Sequence, residues 1–219
     1  MPDLSNAPND TTRAKVALRN QLLTARCALS TTERHAAAVA VQAVTTHLVR
    51  RSAASTTAAY VPVGPEPGGV DLPEVLAGVL PPGGRLLLPV LRPDGDLDWA
   101  EYDGPESLEP GPRGLREPIG RTLGVDTIRQ AELVIVPALA VDRTGVRMGR
   151  GGGSYDRVLA RIPDAHTLAL LHDGEILDAV PAEPHDRTVQ AVITPGGGLT
   201  TVGPGATLEA LIDDPGWTK

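Results

Sequence analysis

Residues 133–161, LVIVPALAVDRTGVRMGRGGGSYDRVLAR, contain the pattern that decides the fold. Residues 133–136 are an apolar run of strand length, and residues 154–161 have the spacing of a short helix. A long glycine-rich loop, residues 137–152, joins the two. A buried strand that leads through such a loop into a helix is typical of α/β proteins.

The rest of the chain alternates strands and helices in the same way. Ser30 and Glu33 form a capping-box pattern at the start of the second helix. Residues 103–129, rich in glycine, proline and charge, predict an extended surface excursion. The predicted helices are residues 12–28, 31–49 and 72–80, and the other predicted strands are residues 57–63, 85–91, 97–102, 167–171 and 189–194.

This order of elements predicts a single α/β domain over residues 12–219, after a disordered tail over residues 1–11. We expect a mostly parallel sheet flanked by helices on both faces. This Rossmann-like architecture is also related to the folds of sugar-phosphate isomerases and CoA transferases. Ligands of such sheets bind beyond the carboxyl ends of the strands. The glycine-rich loop follows a strand, so we expect it at that edge.

Composition argues against several classes of function. The net charge of −7 disfavours a nucleic-acid or anionic-membrane partner. A single cysteine, Cys27, allows neither an internal disulfide nor a cysteine zinc site. The first ten residues lack the basic and apolar regions of a signal peptide, and no apolar run is long enough to span a bilayer. We expect a cytoplasmic monomer.

The end of the glycine-rich loop carries groups that bind a polyphosphate. The glycines at 151–153 let backbone N–H groups approach an anion, and the following helix adds its positive N-terminal end. Arg147 and Arg150 supply planar forks of donors. The loop has no Walker A pattern, and Ser154 stands where a dinucleotide-binding fingerprint has its third glycine. The alternative is a flexible surface turn.

Two aspartates are candidate metal ligands. Asp156 stands in the first turn of the predicted helix, and Asp186 stands in a later loop. Magnesium usually takes one or two protein carboxylates and leaves its other positions to phosphates and water. A favourable carboxylate at a helix start explains Asp156 equally well, and a solvated surface acid explains either residue.

Lys15 and Arg19 stand four residues apart on the first predicted helix, where like charges repel. An anion between them would turn this repulsion into attraction, whereas the alternative is a solvated basic face. Lys15 stands out because the chain has eighteen arginines and only one other lysine. Lysine supplies a compact, mobile charge that arginine does not imitate.

Four aromatic residues and one acid fall near the predicted ligand edge. A flat heterocycle could stack on Tyr60, Trp99, Tyr102 or Tyr155. Ordinary packing at the ends of strands is the alternative, and it is favoured for Trp99 and Tyr102. Glu66 directly follows a strand and would hydrogen-bond an amino-substituted ring, unless it is one more exposed loop acid.

Residues 136–156 resemble the signature of the 5-formyltetrahydrofolate cyclo-ligases, also called 5,10-methenyltetrahydrofolate synthetases. Further landmarks follow in the family's order, so that the resemblance covers about residues 14–195. These landmarks are Lys15-x-x-x-Arg19, Tyr60-x-Pro62 with Glu66, Leu88-Pro89, Glu117-Pro118, and Pro181-x-Glu183-x-His185-Asp186 with Val192-Ile193-Thr194.

The resemblance implies an ATP- and magnesium-dependent cyclisation of 5-formyltetrahydrofolate to 5,10-methenyltetrahydrofolate, with release of ADP and phosphate. The formyl oxygen would attack the γ-phosphate, and N10 would then close the ring. A formyl oxygen on an amide-like nitrogen is a poor nucleophile. Catalysis must therefore come from positioning and charge neutralisation.

The resemblance also implies roles for individual residues. Arg150 and Lys15 would be catalytic, with Arg150 stabilising the transferring phosphoryl group, and Asp156 and Asp186 would bind Mg²⁺. The ATP contacts would be Lys15, Arg19, Arg147, Met148, Gly149, Arg150, Gly151, Gly152, Gly153, Ser154 and Tyr155. The folate contacts would be Val61, Glu66, Gly151, Gly152 and Ser154.

Two departures from the family pattern concern the affinity for the substrate. Ser154 stands where the family often has tyrosine, and Gly68-Gly69 stands near where an Asp-Thr pair is common. Two other functions stay open at this point. One is an enzyme related to sugar-phosphate isomerases and CoA transferases, and the other is a non-catalytic folate- or nucleotide-binding protein.

Overall fold

A computed structural model describes residues 10–203 of the chain. The helices are α1 (Asp10–Ala28), α2 (Thr31–Ser52), α3 (Leu72–Ala77) and α4 (Ser154–Arg161). The strands are β1 (Thr56–Ala58), β2 (Arg85–Leu91), β3 (Leu97–Glu101), β4 (Leu108–Pro110), β5 (Arg116–Pro118), β6 (Leu133–Pro137), β7 (Ala140–Asp142), β8 (Arg147–Met148), β9 (His166–Leu170), β10 (Ile176–Leu177), β11 (Ala191–Thr194) and β12 (Gly198–Thr201).

Seven strands form the main sheet in the order β12-β11-β9-β6-β1-β2-β3. The five inner strands are mutually parallel, whereas β12 and β3 pair antiparallel at the two edges. The α/β class and the mostly parallel sheet are therefore confirmed, and β3 is the edge strand expected at 97–102.

Both faces of the sheet are covered, which explains the continuous apolar runs of its strands. On β6, Leu133 and Ile135 pack on one face with residues of α2 and α3, and Val134 and Val136 pack on the other face with residues of α4. Successive side chains of a strand point to opposite faces, so a strand between two helical layers needs apolar residues at every position. Helices thus flank both faces, as predicted.

Helix α1 docks outside these two layers. Its Leu22 packs in a small cluster with residues of β7 and β8, which form a second sheet with β10. Its last turn is anchored by Arg26, whose side chain is 2% exposed and forms an ion pair with Glu175 (Nε to Oε1, 2.7 Å). Arg26 Nη2 also donates to Ala138 O at 2.6 Å. This ion pair fixes the helix that carries Lys15 and Arg19.

Several predicted boundaries differ from the structure. Strand β1 ends at Ala58, well before residue 63, because the chain leaves the sheet toward Pro62, which has no N–H to donate. Helix α1 begins at Asp10, so two residues of the expected tail are helical. The rest of the tail, residues 1–9, and the end of the predicted domain, residues 204–219, lie outside the described residues.

The two predicted loops contain short strands. Residues 137–152 hold the β7–β8 hairpin, and residues 103–129 hold the β4–β5 pair and three 3-10 turns. The excursion is therefore ordered by its own hydrogen bonds. Within residues 10–203, no helix combines the length and the apolar character needed to cross a membrane.

Candidate active site

A cavity of about 620 Å³ opens at the carboxyl ends of the parallel strands. The segments that follow β1 and β6 and the end of β2 line it, together with α1, the start of α4 and the excursion. All fifteen site residues predicted from the sequence line this one cavity. The structure therefore brings together groups that span residues 15–186, and the role of each group stays a prediction.

The glycine turn, residues 149–153, forms one wall of the cavity. Gly151 has φ +96° and Gly153 has φ +68°, conformations that side chains rarely adopt. A Cβ atom at Gly151 would also lie 3.2 Å from Cζ of Arg19. Gly153 is the N-cap of α4, so the turn delivers the positive end of that helix to the cavity. The positive φ angles favour glycine at positions 151 and 153, and the absence of a side chain at Gly151 lets the Arg19 guanidinium lie close to the backbone.

Arg19 lies against this turn. Its Nε donates to Gly149 O at 3.1 Å. Among the described residues, no carboxylate forms a salt bridge with Arg19. Its guanidinium is thus available to an anion placed over the glycine turn.

Arg147 is buried and organises the start of the site. Its Nη1 donates to Pro137 O at 3.1 Å, and its Nη2 forms an ion pair with Asp156 Oδ1 at 3.1 Å. The guanidinium carbon also lies 6.0 Å from the centre of the Tyr155 ring, within reach of a cation–π contact. Arg147 therefore ties the end of β6 to the first turn of α4, in addition to any contact with a ligand.

Lys15 reaches two carboxylates in a group that we name the lysine clamp (Lys15, Glu183 and Asp186). The Lys15 Nζ atom lies 2.7 Å from Glu183 Oε2 and 2.6 Å from Asp186 Oδ2. Burial lowers the pKa of Lys15, but its hydrogen bonds to the two acids outweigh burial and leave that pKa above its usual value. Burial raises the pKa of Asp186, whereas the hydrogen bond from Lys15 lowers it, with a net decrease.

Arg150 and Glu66 form an ion pair across the cavity, with Arg150 Nη2 at 3.0 Å from Glu66 Oε1. The Glu66 side chain is 9% exposed and the Arg150 side chain is half exposed. Glu66 Oε2 accepts from the Val63 N–H at 2.9 Å, which fixes the carboxylate. The pair joins the residue predicted to bind the phosphoryl group to the residue predicted to bind folate.

The two predicted metal ligands are each held by a different cation. Asp156 Oδ1 accepts from Arg147 Nη2 and from the Arg187 N–H, and Asp186 belongs to the lysine clamp. Among residues 10–203, no group of three or more histidine, cysteine or acidic side chains is arranged to hold a metal ion. Asp156 Oδ2 accepts no hydrogen bond within the described part of the chain, so one carboxylate oxygen is left for a cation.

The excursion supplies a wall that the sequence analysis missed. Arg113, Leu115, Arg116 and Glu117 all line the cavity. Glu117 is buried and accepts from the Leu91 N–H at 2.9 Å. Its only signal in the sequence was the Glu117-Pro118 landmark, because residues 103–129 have the composition of a solvated loop.

The aromatic residues divide as follows. Tyr60 and Tyr155 line the cavity. Trp99 is fully buried in the core on the α4 face, and Tyr102 packs against the core on the α2 face. Ordinary packing, the favoured explanation for the last two, is confirmed. Tyr60 was a candidate for stacking on a flat ligand, but it was not among the residues assigned to ATP, folate or metal.

Fold and site together define an α/β protein with a glycine turn in the wall of a cavity that both acidic and basic side chains line. The profile of the 5-formyltetrahydrofolate cyclo-ligase family matches residues 11–195. A 5-formyltetrahydrofolate cyclo-ligase of Mycolicibacterium smegmatis is 41% identical over 196 residues, which cover 87% of this chain and 98% of that protein. The enzyme of the same name from Escherichia coli is 30% identical over 132 residues, 58% of this chain and 72% of its own.

A solved structure agrees with these similarities. The 5,10-methenyltetrahydrofolate synthetase of Aquifex aeolicus has a TM-score of 0.71 and 26% identity, with 87% of this chain and 94% of that chain covered. The chain belongs to the 5-formyltetrahydrofolate cyclo-ligase family.

Proposed function

We propose that this protein catalyses the ATP-dependent cyclisation of 5-formyltetrahydrofolate to 5,10-methenyltetrahydrofolate, with release of ADP and phosphate. The observation that carries the proposal is the Arg150–Glu66 ion pair, because the side chain predicted to bind phosphate lies 3.0 Å from the side chain predicted to bind folate, in one cavity. The 41% identity over nearly the whole length of a relative with that name supports the same activity.

The proposed reaction has two steps. The formyl oxygen attacks the γ-phosphorus, so that an O–P bond forms and the bond from that phosphorus to ADP breaks. N10 then attacks the formyl carbon and loses its proton, the ring closes, and the C–O bond breaks to release phosphate. The formyl oxygen carries no proton, so the first step needs no general base.

The chain's own contribution is to position the two ligands and neutralise charge. Arg150 belongs to the glycine turn and its side chain is half exposed, so its guanidinium would stay in contact with the phosphoryl group during the transfer. Arg19 and the turn's backbone would hold the phosphates before transfer. Lys15 would exchange its two carboxylate partners for phosphate oxygens, which keeps its charge paired throughout.

A magnesium ion fits the acids of this cavity. Asp156 offers an oxygen that no described residue occupies, and one or two carboxylates beside phosphates are what Mg²⁺ usually takes. Asp186 would become a second ligand once Lys15 turns to the phosphates. The ion would supply charge neutralisation on the phosphate oxygens.

We also propose that the enzyme acts in the cytoplasm as a monomer, without nucleic-acid or membrane partners. The net charge of −7 supports the absence of a nucleic-acid partner.

The test is a spectrophotometric assay with 5-formyltetrahydrofolate, ATP and magnesium chloride. We expect the near-ultraviolet absorbance of the methenyl product to appear only when all three are present. Product formation without ATP would contradict a ligase and favour an isomerase-like enzyme. Stoichiometric binding of both ligands without turnover would instead identify a binding protein.

A further inference from the structure

Tyr60 lines the cavity, and its buried hydroxyl has no hydrogen-bond partner among the described residues. Tyr60 follows directly on β1 and is 4% exposed, and its ring packs in the core that faces α2 and α3. Its hydroxyl oxygen is inaccessible to solvent and makes no hydrogen bond within the described residues. Since a buried hydroxyl without a partner costs free energy of folding, its presence needs an explanation.

Position separates this hydroxyl from three of the other unpaired polar atoms. Six side-chain atoms of the described residues are buried and unpaired, and those of Thr57, Trp99 and Arg157 belong to residues that do not line the cavity. The atoms of Tyr60, Arg147 and Tyr155 belong to residues that line it. An unpaired donor at a cavity wall can be satisfied by a ligand, whereas one in a closed core cannot.

The surroundings of Tyr60 keep its hydroxyl protonated. Burial raises the pKa of Tyr60 well above its ordinary value, and the negative charge of Glu66 raises that pKa further. The group is therefore a hydrogen-bond donor throughout the physiological pH range. Glu66 beside it is an acceptor, and the Val63 N–H fixes its carboxylate.

A donor beside an acceptor complements one edge of the pterin ring. That edge presents the 4-oxo oxygen, which accepts, next to the N3–H and the 2-amino group, which donate. Val61 and Glu66, two of the five predicted folate contacts, lie on the same segment as Tyr60, whereas none of the predicted ATP contacts lies on that segment. The pairing of groups thus points to the folate.

We propose that Tyr60 is a further substrate-binding residue whose hydroxyl donates a hydrogen bond to the pterin 4-oxo oxygen while Glu66 accepts from the neighbouring N–H groups. The proposal rests on the proposed function, since it needs a folate in the cavity. It makes Tyr60 a specificity-determining residue for 4-oxo over 4-amino pterins, because a 4-amino group cannot accept the hydroxyl proton and leaves that buried donor unpaired.

The test is Tyr60→Phe, which removes the hydroxyl and keeps the ring. We expect the dissociation constant for 5-formyltetrahydrofolate to rise about three- to tenfold, the usual range for one neutral hydrogen bond. The KM for ATP should stay unchanged. The melting temperature of the ligand-free protein should stay the same or rise, because the variant loses an unpaired buried group. A hydroxyl with a merely structural role would lower that temperature.

A second measurement compares 4-oxo and 4-amino folate analogues. Wild type should prefer the 4-oxo ring, and Tyr60→Phe should lose about three- to tenfold of that preference. The matched control is Tyr102→Phe, a partly buried tyrosine that packs on the same core outside the cavity, which should leave the preference unchanged.

The outcomes separate the two proposals. If wild type binds no folate, the proposed function itself fails. If wild type binds folate and Tyr60→Phe binds it equally well, with the same preference between analogues, the role of Tyr60 is overturned and the proposed function stands.

Discussion

The buried ion pair of Arg26 and Glu175 permits a quantitative prediction about α1. Two charge-assisted hydrogen bonds, each 2.7 Å long, join the guanidinium to the carboxylate, and the side chains are 2% and 8% exposed. Glu175→Ala would leave Arg26 with the Ala138 carbonyl as its remaining described partner. It would also free the His172 N–H, which donates to Glu175 at 2.7 Å.

The expected cost follows from this burial. Removing one partner of a buried pair costs about 3–5 kcal/mol, because the other charge stays buried without compensation. For a domain of this size, each kcal/mol lowers the melting temperature by roughly 2–4 °C, so the variant should melt about 6–20 °C lower. Circular dichroism during thermal unfolding, with urea unfolding for the free energy, measures both quantities.

Two further variants serve as controls for this prediction. Asp178→Ala removes a carboxylate from an exposed pair with Arg143, at 3.5 Å with side chains 97% and 79% exposed, and should cost less than about 1 kcal/mol. Replacing Arg26 and Glu175 together with methionine should recover much of the loss, because no charge is then buried. The reasoning is refuted if Glu175→Ala costs no more than Asp178→Ala.

Three other predictions concern the cavity. Because ATP and folate would each break the Arg150–Glu66 pair, whichever binds first should tighten the other by about fivefold, or ~1 kcal/mol. Calorimetric titration of folate with and without a non-hydrolysable ATP analogue measures this coupling. If Glu66→Gln showed the same coupling, the Arg150–Glu66 pair would not be its cause. Lys15→Ala should raise the KM for ATP more than the KM for folate, and equal changes would remove Lys15 from the phosphate site. The pKa of Asp186 is lowered in the folded protein, so Asp186 stabilises the fold above the ordinary aspartate pKa, and this stabilisation is lost as the pH falls through the lowered pKa. The pKa of Lys15 is raised, so Lys15 stabilises the fold below the ordinary lysine pKa, and this stabilisation is lost as the pH rises through the raised pKa. The stability difference between wild type and Lys15→Ala should therefore be flat from about pH 5 to 10 and shrink below about pH 4 in urea titrations, whereas a constant difference down to pH 2 would exclude the clamp as its origin.

The glycine turn and α4 were predictable because their signals are local. Helix α4 runs over residues 154–161, as expected, since the glycines before it are poor helix formers and its apolar residues have helical spacing. The place of the turn at this edge of the sheet followed from the strand before it, because the loop after a parallel strand begins at that strand's carboxyl end. Local chemistry and topology together were sufficient for this part of the site.

The partners of the charged residues were not predictable, because they lie far away in the sequence. Lys15 meets Glu183 across 168 positions and Arg26 meets Glu175 across 149, and no spacing pattern links such pairs. The β7–β8 hairpin was also missed, since strands of two or three residues show no periodicity. For the same reason the excursion was interpreted as surface, although its short strands carry Glu117 into the cavity.

The pairing of charges in the cavity bears on the need for a divalent cation. Of the four cations predicted to meet phosphate, Lys15, Arg147 and Arg150 each have a carboxylate partner, and Arg19 has none among the described residues. Six basic and five acidic side chains line the cavity, His185 apart, so its charge is nearly balanced before any ligand enters. A triphosphate would add several negative charges that the bases can neutralise only by leaving acids unpaired. A divalent cation between the phosphates and those acids would offset this added charge, so the charges support the proposed magnesium dependence, as do the carboxylates of Asp156 and Asp186.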